Sequence, residues 1–250
     1  IIKPSESTYW QNDRLASLFP HKKFGGRPKV VYCENRDELL DSYEKIYSFD
    51  NRVIIQEVIP GEDHNLVYIS FYLNRQSELL GYFAGRKIRI FPVGFGSASY
   101  VKSMHDQALV DITMKLLMGV RYQGLGGIEF KMDPRDNQYK LIEFNTRYGL
   151  WDGLGIPCGV DLPYIAYRDA LDLPVEPQFD YRDGVIWVDW ERDIRAALIY
   201  RSQGKLTLKQ YIQSLRGERM SAIFHRNDWR PGVRFILSLI PKFIMKIISR

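Results

Sequence analysis

Residues 127–147 read GIEFKMDPRDNQYKLIEFNTR, and their pattern decides how the rest of the chain is read. Two runs of strand-forming residues flank Asp133-Pro134-Arg135-Asp136-Asn137, a cluster of turn formers, so the stretch predicts a β-hairpin. Ile128, Phe130, Leu141 with Ile142, and Phe144 supply its apolar face. Alternate strand residues project to one side. Glu143, Asn145 and Arg147 therefore share a side, and an antiparallel partner can bring Glu129 beside them. Two carboxylates and an amide oxygen make a hard, oxygen-only ligand set suited to Mg²⁺ or Mn²⁺. An arginine next to such a set suits phosphate. A solvated sheet face with ordinary polar alternation accounts for the same letters, and residue chemistry alone leaves both readings open.

The 250 residues are enough to bury a sizeable core, in one large domain or two small ones. The formal charge of +5 is compatible with anionic ligands such as nucleotides but too diffuse to point to nucleic acid. Cys33 and Cys158 lie far apart without metal-like spacing and fit a reducing, cytoplasmic setting. His21, His64, His105 and His225 form no ligand pattern. Nothing resembles a signal peptide. The chain starts at Ile1 in what reads as the middle of a strand, which implies the C-terminal part of a longer protein.

Upstream of the hairpin, Ile1-Ile2-Lys3-Pro4 reads as a strand end carrying a lysine. A polar, basic stretch follows and ends in Phe24-Gly25-Gly26-Arg27-Pro28-Lys29, either a loop that approaches phosphate through its backbone or a surface loop. Residues 30–32 predict a short strand, and 36–48 a helix capped by Asn35 or Asp37. Residues 52–59 predict a β-branched strand, followed by Pro60-Gly61 and the acidic pair Glu62-Asp63. Residues 65–73 and 79–91 predict a hairpin whose second strand carries Arg86, Lys87 and Arg89. Those cations suit either an edge strand protected by charge or an anion-binding wall. The glycine-rich 92–100 predicts a turn or lid. Residues 105–119 predict an amphipathic helix with Leu109, Ile112, Leu116 and Leu117 inward.

Downstream, Asp161 predicts the cap of a helix with Pro163 in its first turn. Residues 174–184 read as a linker to a strand, GVIWVDW, and to helices near 191–203 and 207–216. The tail 233–250 is apolar with interspersed cations, too short and too charged for a bilayer span. It predicts either a helix docked on its own domain or a basic amphipathic helix at a membrane interface.

The order of these segments resembles the ATP-grasp superfamily, and in particular its carboxylate–amine ligases related to the carbamoyl-phosphate synthase large subunit. The similarity rests on residues 1–4 (IIKP), 53–65 (VIIQEVIPGEDHN), 85–96 (GRKIRIFPVGFG), 124–147 and 159–171, and so spans about residues 1–172. It implies an α+β fold in which two subdomains clasp ATP: an ATP-grasp domain over 1–173, lacking its N-terminal domain, and a mainly helical extension over 174–250. It implies ATP phosphate contacts from Lys3 and, in the glycine loop, Lys29. Adenine would lie against Gln56, Glu57, Val58 and Ile59, and the ribose hydroxyls against Asp63, or Glu62 one residue away. A γ-phosphate cation falls on Arg86 or Lys87, metal ligands on Glu129, Glu143 and Asn145, and a phosphate or acyl-phosphate contact on Arg147. The glycine loop holds fewer glycines than many members of the superfamily, so its alignment is the loosest.

The activity so implied is ATP- and Mg²⁺-dependent joining of a small-molecule carboxylate to an amine, an amino acid or amino sugar, through an acyl phosphate. Rival readings are a kinase on the same scaffold and a nucleotide-binding module without catalysis.

Overall fold

The computed structural model describes residues 1–6, 10, 17–19, 30–48, 50–225 and 227–238, which fall in two units, Ile1–Pro60 and Gly61–Arg250. Lys29 and the rest of the glycine loop, and the tail beyond residue 238, lie outside the described residues.

In the first unit, Ile2–Pro4 (β1) pairs antiparallel with Val53–Ile55 (β2), Lys3 standing opposite Ile54. The helix Arg36–Tyr47 (α1) starts where its cap residue dictates: the Asn35 side chain accepts the Glu38 N–H at 2.9 Å. It presents Ile46 to a core of Ile2, Trp10, Phe19 and Val31, while Tyr47 and Leu40 are exposed. The expected strand over 52–59 is shorter because its ladder runs out. Beyond Ile2↔Ile55, Ile1 exchanges two hydrogen bonds with Gln56 (2.9 and 3.0 Å), and no strand pairing follows among the described residues. The strand expected over 30–32 reduces to a single bridge between Val31 and Ile2.

In the second unit the strands are Leu66–Leu73 (β3), Leu79–Phe91 (β4), Ser97–Met104 (β5), Gly124–Asp133 (β6), Gln138–Asn145 (β7), Ile186–Val188 (β8) and Arg219–Ser221 (β9). They form one sheet in the order β7-β6-β3-β4-β5-β8-β9, antiparallel except for β8 and β9. Its helices are Gln107–Gly119 (α2), Gly155–Cys158 (α3), Leu162–Ala170 (α4), Trp190–Ser202 (α5) and Leu208–Ser214 (α6). Asp106, Asp161, Asp189 and Thr207 cap α2, α4, α5 and α6, each side chain accepting a backbone N–H of the first turn.

Two expectations change here. β4 lies between β3 and β5, so its cations do not guard an edge. The lid expected over 92–100 loses its second half to β5, where Ala98, Ser99 and Tyr100 are buried. Small and aromatic residues alternate there and satisfy the backbone in a ladder rather than in a mobile loop.

The sheet separates two apolar layers. On one face Val67, Ile69, Phe71, Ala84, Ile128 and Phe130 pack against α2, whose inward stripe is Leu109, Thr113 and Leu117, whereas Ile112 is exposed. On the other face Phe83, Val101, Trp151, Leu154, Leu162 and Ile165 form a second core beneath α4. Covered on both faces, β3 is buried along its whole length and is apolar or aromatic except at Ser70. The architecture is α+β.

Candidate functional site

The β6–β7 ladder has Glu129 opposite Glu143 and Gly127 opposite Asn145. A bulge after Glu129 shifts the register toward the turn, leaving the site half of the hairpin in regular alternation. β3 places Tyr68 opposite both Glu129 and Gly85 of β4. Lys87, two residues beyond Gly85, therefore projects on the same face, and its ammonium forms an ion pair with Glu129. The two side chains are nearly buried, 9% and 12% exposed, so the pair is shielded from water. The structure thus gathers Lys87, Glu129, Glu143 and Asn145 on one patch of one face. Arg147 lies just past the end of β7; its guanidinium is exposed and partly opposes the rise that burial imposes on the pKa of the Tyr68 hydroxyl and of the Asp152 carboxyl.

Two glycines make room at this patch. A Cβ on Gly127 would stand 1.9 Å from the Tyr68 hydroxyl oxygen, and one on Gly85 would meet the Trp151 ring at 2.9 Å. Tyr68 is 4% exposed. Burial, with Asp152, Glu129 and Glu143 nearby, pushes its hydroxyl far above the usual phenol range, so it stays a neutral donor among carboxylates.

The segment after β7 is held down by Asp152, which is 1% exposed. Its carboxylate accepts the Ser70 hydroxyl of β3 at 2.9 Å and the Gly149 N–H at 2.6 Å. Burial raises its pKa, opposed by those two donors and by Arg147 and Lys87. Asp152 thereby fixes the path of the chain immediately after Arg147.

At the other margin, Asp63 sits in a 3₁₀ turn, Asp63–Asn65, where its Oδ2 accepts the Tyr200 hydroxyl at 2.5 Å and the Gly94 N–H at 3.3 Å. Lys131 of β6 donates to the Gly61 carbonyl at 2.8 Å. Burial lowers its pKa against the pull of Asp63, Glu62 and Asp133.

Two other cations of β4 are not brought to this patch. Arg86 projects to the opposite face, where it donates to the His64 carbonyl at 3.2 Å, so the two β4 cations proposed as alternatives are separated by the sheet. Arg89 is no part of an anion-binding wall: it is 4% exposed and forks onto Asp193 of α5 at 2.7 and 2.9 Å. Lys3, Gln56, Glu57, Val58 and Ile59 belong to the unit Ile1–Pro60, with Lys3 in β1 and the other four directly after β2.

Among the described residues no group of three or more His, Cys, Asp or Glu is arranged to hold a metal. The oxygen donors present are the two carboxylates in register and the amide of Asn145. That set suits Mg²⁺, which takes one or two carboxylates and completes its octahedron with phosphate and water.

Sequence reasoning missed Tyr68, Asp152, Lys131 and Tyr200. Only Asp152 had a signal, an acidic residue enclosed by Gly149, Gly153 and Gly155, where close backbone approach is to be expected.

Residues 93–173 match the family described as carbamoyl-phosphate synthase L chain, ATP binding domain. A D-aspartate ligase from Enterococcus faecium (strain Aus0004) is 29% identical over 131 residues, which are 51% of this chain and 31% of the relative. The chain thus spans about a third of the length of the curated relative it matches. Among solved structures, biotin carboxylase from Campylobacter jejuni superposes with a TM-score of 0.48 at 15% identity, over 61% of this chain and 36% of the other. N5-carboxyaminoimidazole synthetase from Staphylococcus aureus, complexed with ADP, gives 0.47 at 12% identity, over 63% and 41%. Residues 93–173 are thus similar to an ATP-binding domain of the carbamoyl-phosphate synthase type.

Proposed function

We propose that the chain is the ATP-handling part of a ligase that joins a carboxylate to an amine with ATP and Mg²⁺. The observation that carries this reading is the register Glu129↔Glu143 with Lys87 and Asn145 on the same face, in a chain that matches an ATP-binding domain. ATP brings several negative charges, and moving its γ-phosphoryl group is mainly a matter of placement and neutralisation.

Glu129, Glu143 and Asn145 are assigned as the Mg²⁺ ligands. The metal would neutralise phosphate charge and fix the phosphate chain. Lys87 and Arg147 are assigned to the transferring phosphoryl group and the acyl phosphate. With Glu129 holding a metal, Lys87, now paired with that carboxylate, would be released to phosphate. Asp63 is assigned to the ribose hydroxyls, Gln56, Glu57, Val58 and Ile59 to adenine, and Lys3, Lys29 and Arg86 to phosphate on the strength of the sequence resemblance.

The substrate carboxylate attacks the γ-phosphorus and displaces ADP, giving an acyl phosphate. The amine then attacks the acyl carbon and expels inorganic phosphate. The match to a D-aspartate ligase supports an amino acid as one of the two substrates.

The test is Glu143→Ala in the full-length protein, screened for ADP release with pairs of carboxylates and amines. Loss of ADP formation with an unchanged melting curve is expected, because Glu143 is exposed at the patch. Unchanged turnover removes Glu143 from the site. In the unaltered enzyme, amide and inorganic phosphate identify a ligase, whereas a phosphorylated product identifies a kinase.

A further inference from the structure

Helix α5 carries an unusual buried stripe. Asp193, Ala196, Ala197 and Tyr200 are its buried residues, at spacing i, i+3, i+4 and i+7, so two polar groups and two small ones face the sheet together. The alanines allow close approach to β4. Asp193 takes both arms of the Arg89 guanidinium, with exposures of 0% and 4%, and Arg89 in turn lies 4.1 Å above the Tyr100 ring centroid. This bidentate pair fixes the rotation and height of the helix.

Two turns further on, the same stripe delivers Tyr200, itself 7% exposed, to Asp63. The Ile90 N–H donates to the Tyr200 oxygen at 3.4 Å, which commits the hydroxyl proton to Asp63 Oδ2 at 2.5 Å. Oδ2 also receives the Gly94 N–H, while Oδ1 takes no hydrogen bond among the described residues. Beside it, Lys205 pairs with Glu62 at 2.7 Å and holds that carboxyl below the usual range. The acidic turn is therefore held from α5 and the turn that follows it, by residues outside the segment that matches the ATP-binding family.

We propose that Tyr200 is a positioning residue for nucleotide recognition: by occupying Asp63 Oδ2 it aims Oδ1 at the ribose hydroxyls and makes the site selective for ribonucleotides. This rests on the assignment of Asp63 to ribose. A carboxylate with one oxygen fixed by a strong donor presents the other as an oriented acceptor, and an oriented acceptor distinguishes a sugar with a 2′-hydroxyl from one without.

The experiment compares binding of ATP and 2′-deoxyadenosine triphosphate, each with Mg²⁺, to full-length protein carrying Tyr200→Phe, Asp63→Asn, or both. Tyr200→Phe keeps the ring and removes only the donor. Its ATP affinity should fall roughly tenfold while that for the deoxynucleotide stays within about twofold, the loss of one hydrogen bond to a charged group. Asp63→Asn, which leaves Tyr200 in place and serves also if Tyr200→Phe does not fold, should lose the same preference. The double variant should lose no more than Asp63→Asn alone. An unchanged preference in either single variant, or equal weakening of both nucleotides in Tyr200→Phe, overturns the proposal and leaves the ATP reading standing. Failure of the unaltered protein to bind either nucleotide overturns that reading, and this proposal with it.

Discussion

Asp133 shows how one side chain can set both a turn and a pH response. It ends β6, is fully buried, and accepts the Arg135 guanidinium on both oxygens at 2.9, 3.0 and 2.6 Å together with the Arg135 N–H at 3.0 Å. The Arg135 side chain, more than its backbone or net charge, lowers the Asp133 pKa to about 2 from an ordinary 3.8. A carboxyl with a depressed folded-state pKa contributes stability that is complete above its unfolded value and is lost as pH falls through the folded one. Arg135→Ala should therefore lower the melting temperature at neutral pH, and its difference from the unaltered protein should shrink between pH 4 and pH 2. A constant difference across that window would show that Arg135 acts through packing alone. At this scale the sequence was informative wherever spacing was local. Glu129, Glu143 and Asn145 could be put on one face because strand alternation and a short turn set their register. Tyr68 could not be found, since its place depends on the absence of side chains at Gly85 and Gly127, on strands far away in sequence.

Helix α5 illustrates the next scale, where a segment read as an extension becomes part of the sheet's support. Its place and length were legible as a helix near 191–203, within a residue or so of its bounds, Trp190–Ser202. Its partner was not, because Arg89 and Asp193 lie 104 residues apart. Arg89 on its strand looked like a surface cation; only the tertiary fold turns it into a buried pair, with Ser214 at 3.0 Å and the Tyr100 and Tyr211 rings around it. Removing one member of such a pair leaves the other charged and buried. Asp193→Ala should cost about 3–5 kcal/mol in denaturant unfolding. Replacing Arg89 and Asp193 together by apolar residues of similar volume should recover most of it. If the single change costs under about 1 kcal/mol, water reaches Arg89 and the pair behaves as a surface one.

Across the whole molecule, the family match ends at residue 173, but the sheet does not. β8 pairs with β5 through Tyr100↔Val188, Val101↔Trp187 and Lys102↔Ile186, and β9 follows on β8. A chain cut after residue 173 would keep Glu129, Glu143, Asn145 and Lys87, yet expose the outer backbone of β5 and leave Arg89 without its carboxylate. Such a chain should aggregate, as read by light scattering of the purified fraction, and a monomeric, cooperatively folding product would show that β8 is dispensable. The order of strands explains why sequence reading separated what the fold joins. Motif resemblance stops where recognisable chemistry stops, whereas hydrogen bonding must continue to the last unpaired edge.

That pairing also sets a timetable. β5 ends at Met104 and its outer neighbour ends at Val188, so on the ribosome the strand emerges about 80 residues ahead of the partner that covers it. At cellular rates of synthesis the interval is roughly 4–17 s, ample time for an unpaired strand to find a neighbouring nascent chain. Lys102, exposed on β5 and later opposite Ile186, puts a charge on that waiting edge. Its service to the protein is then earliest in life, before the fold that contains it exists.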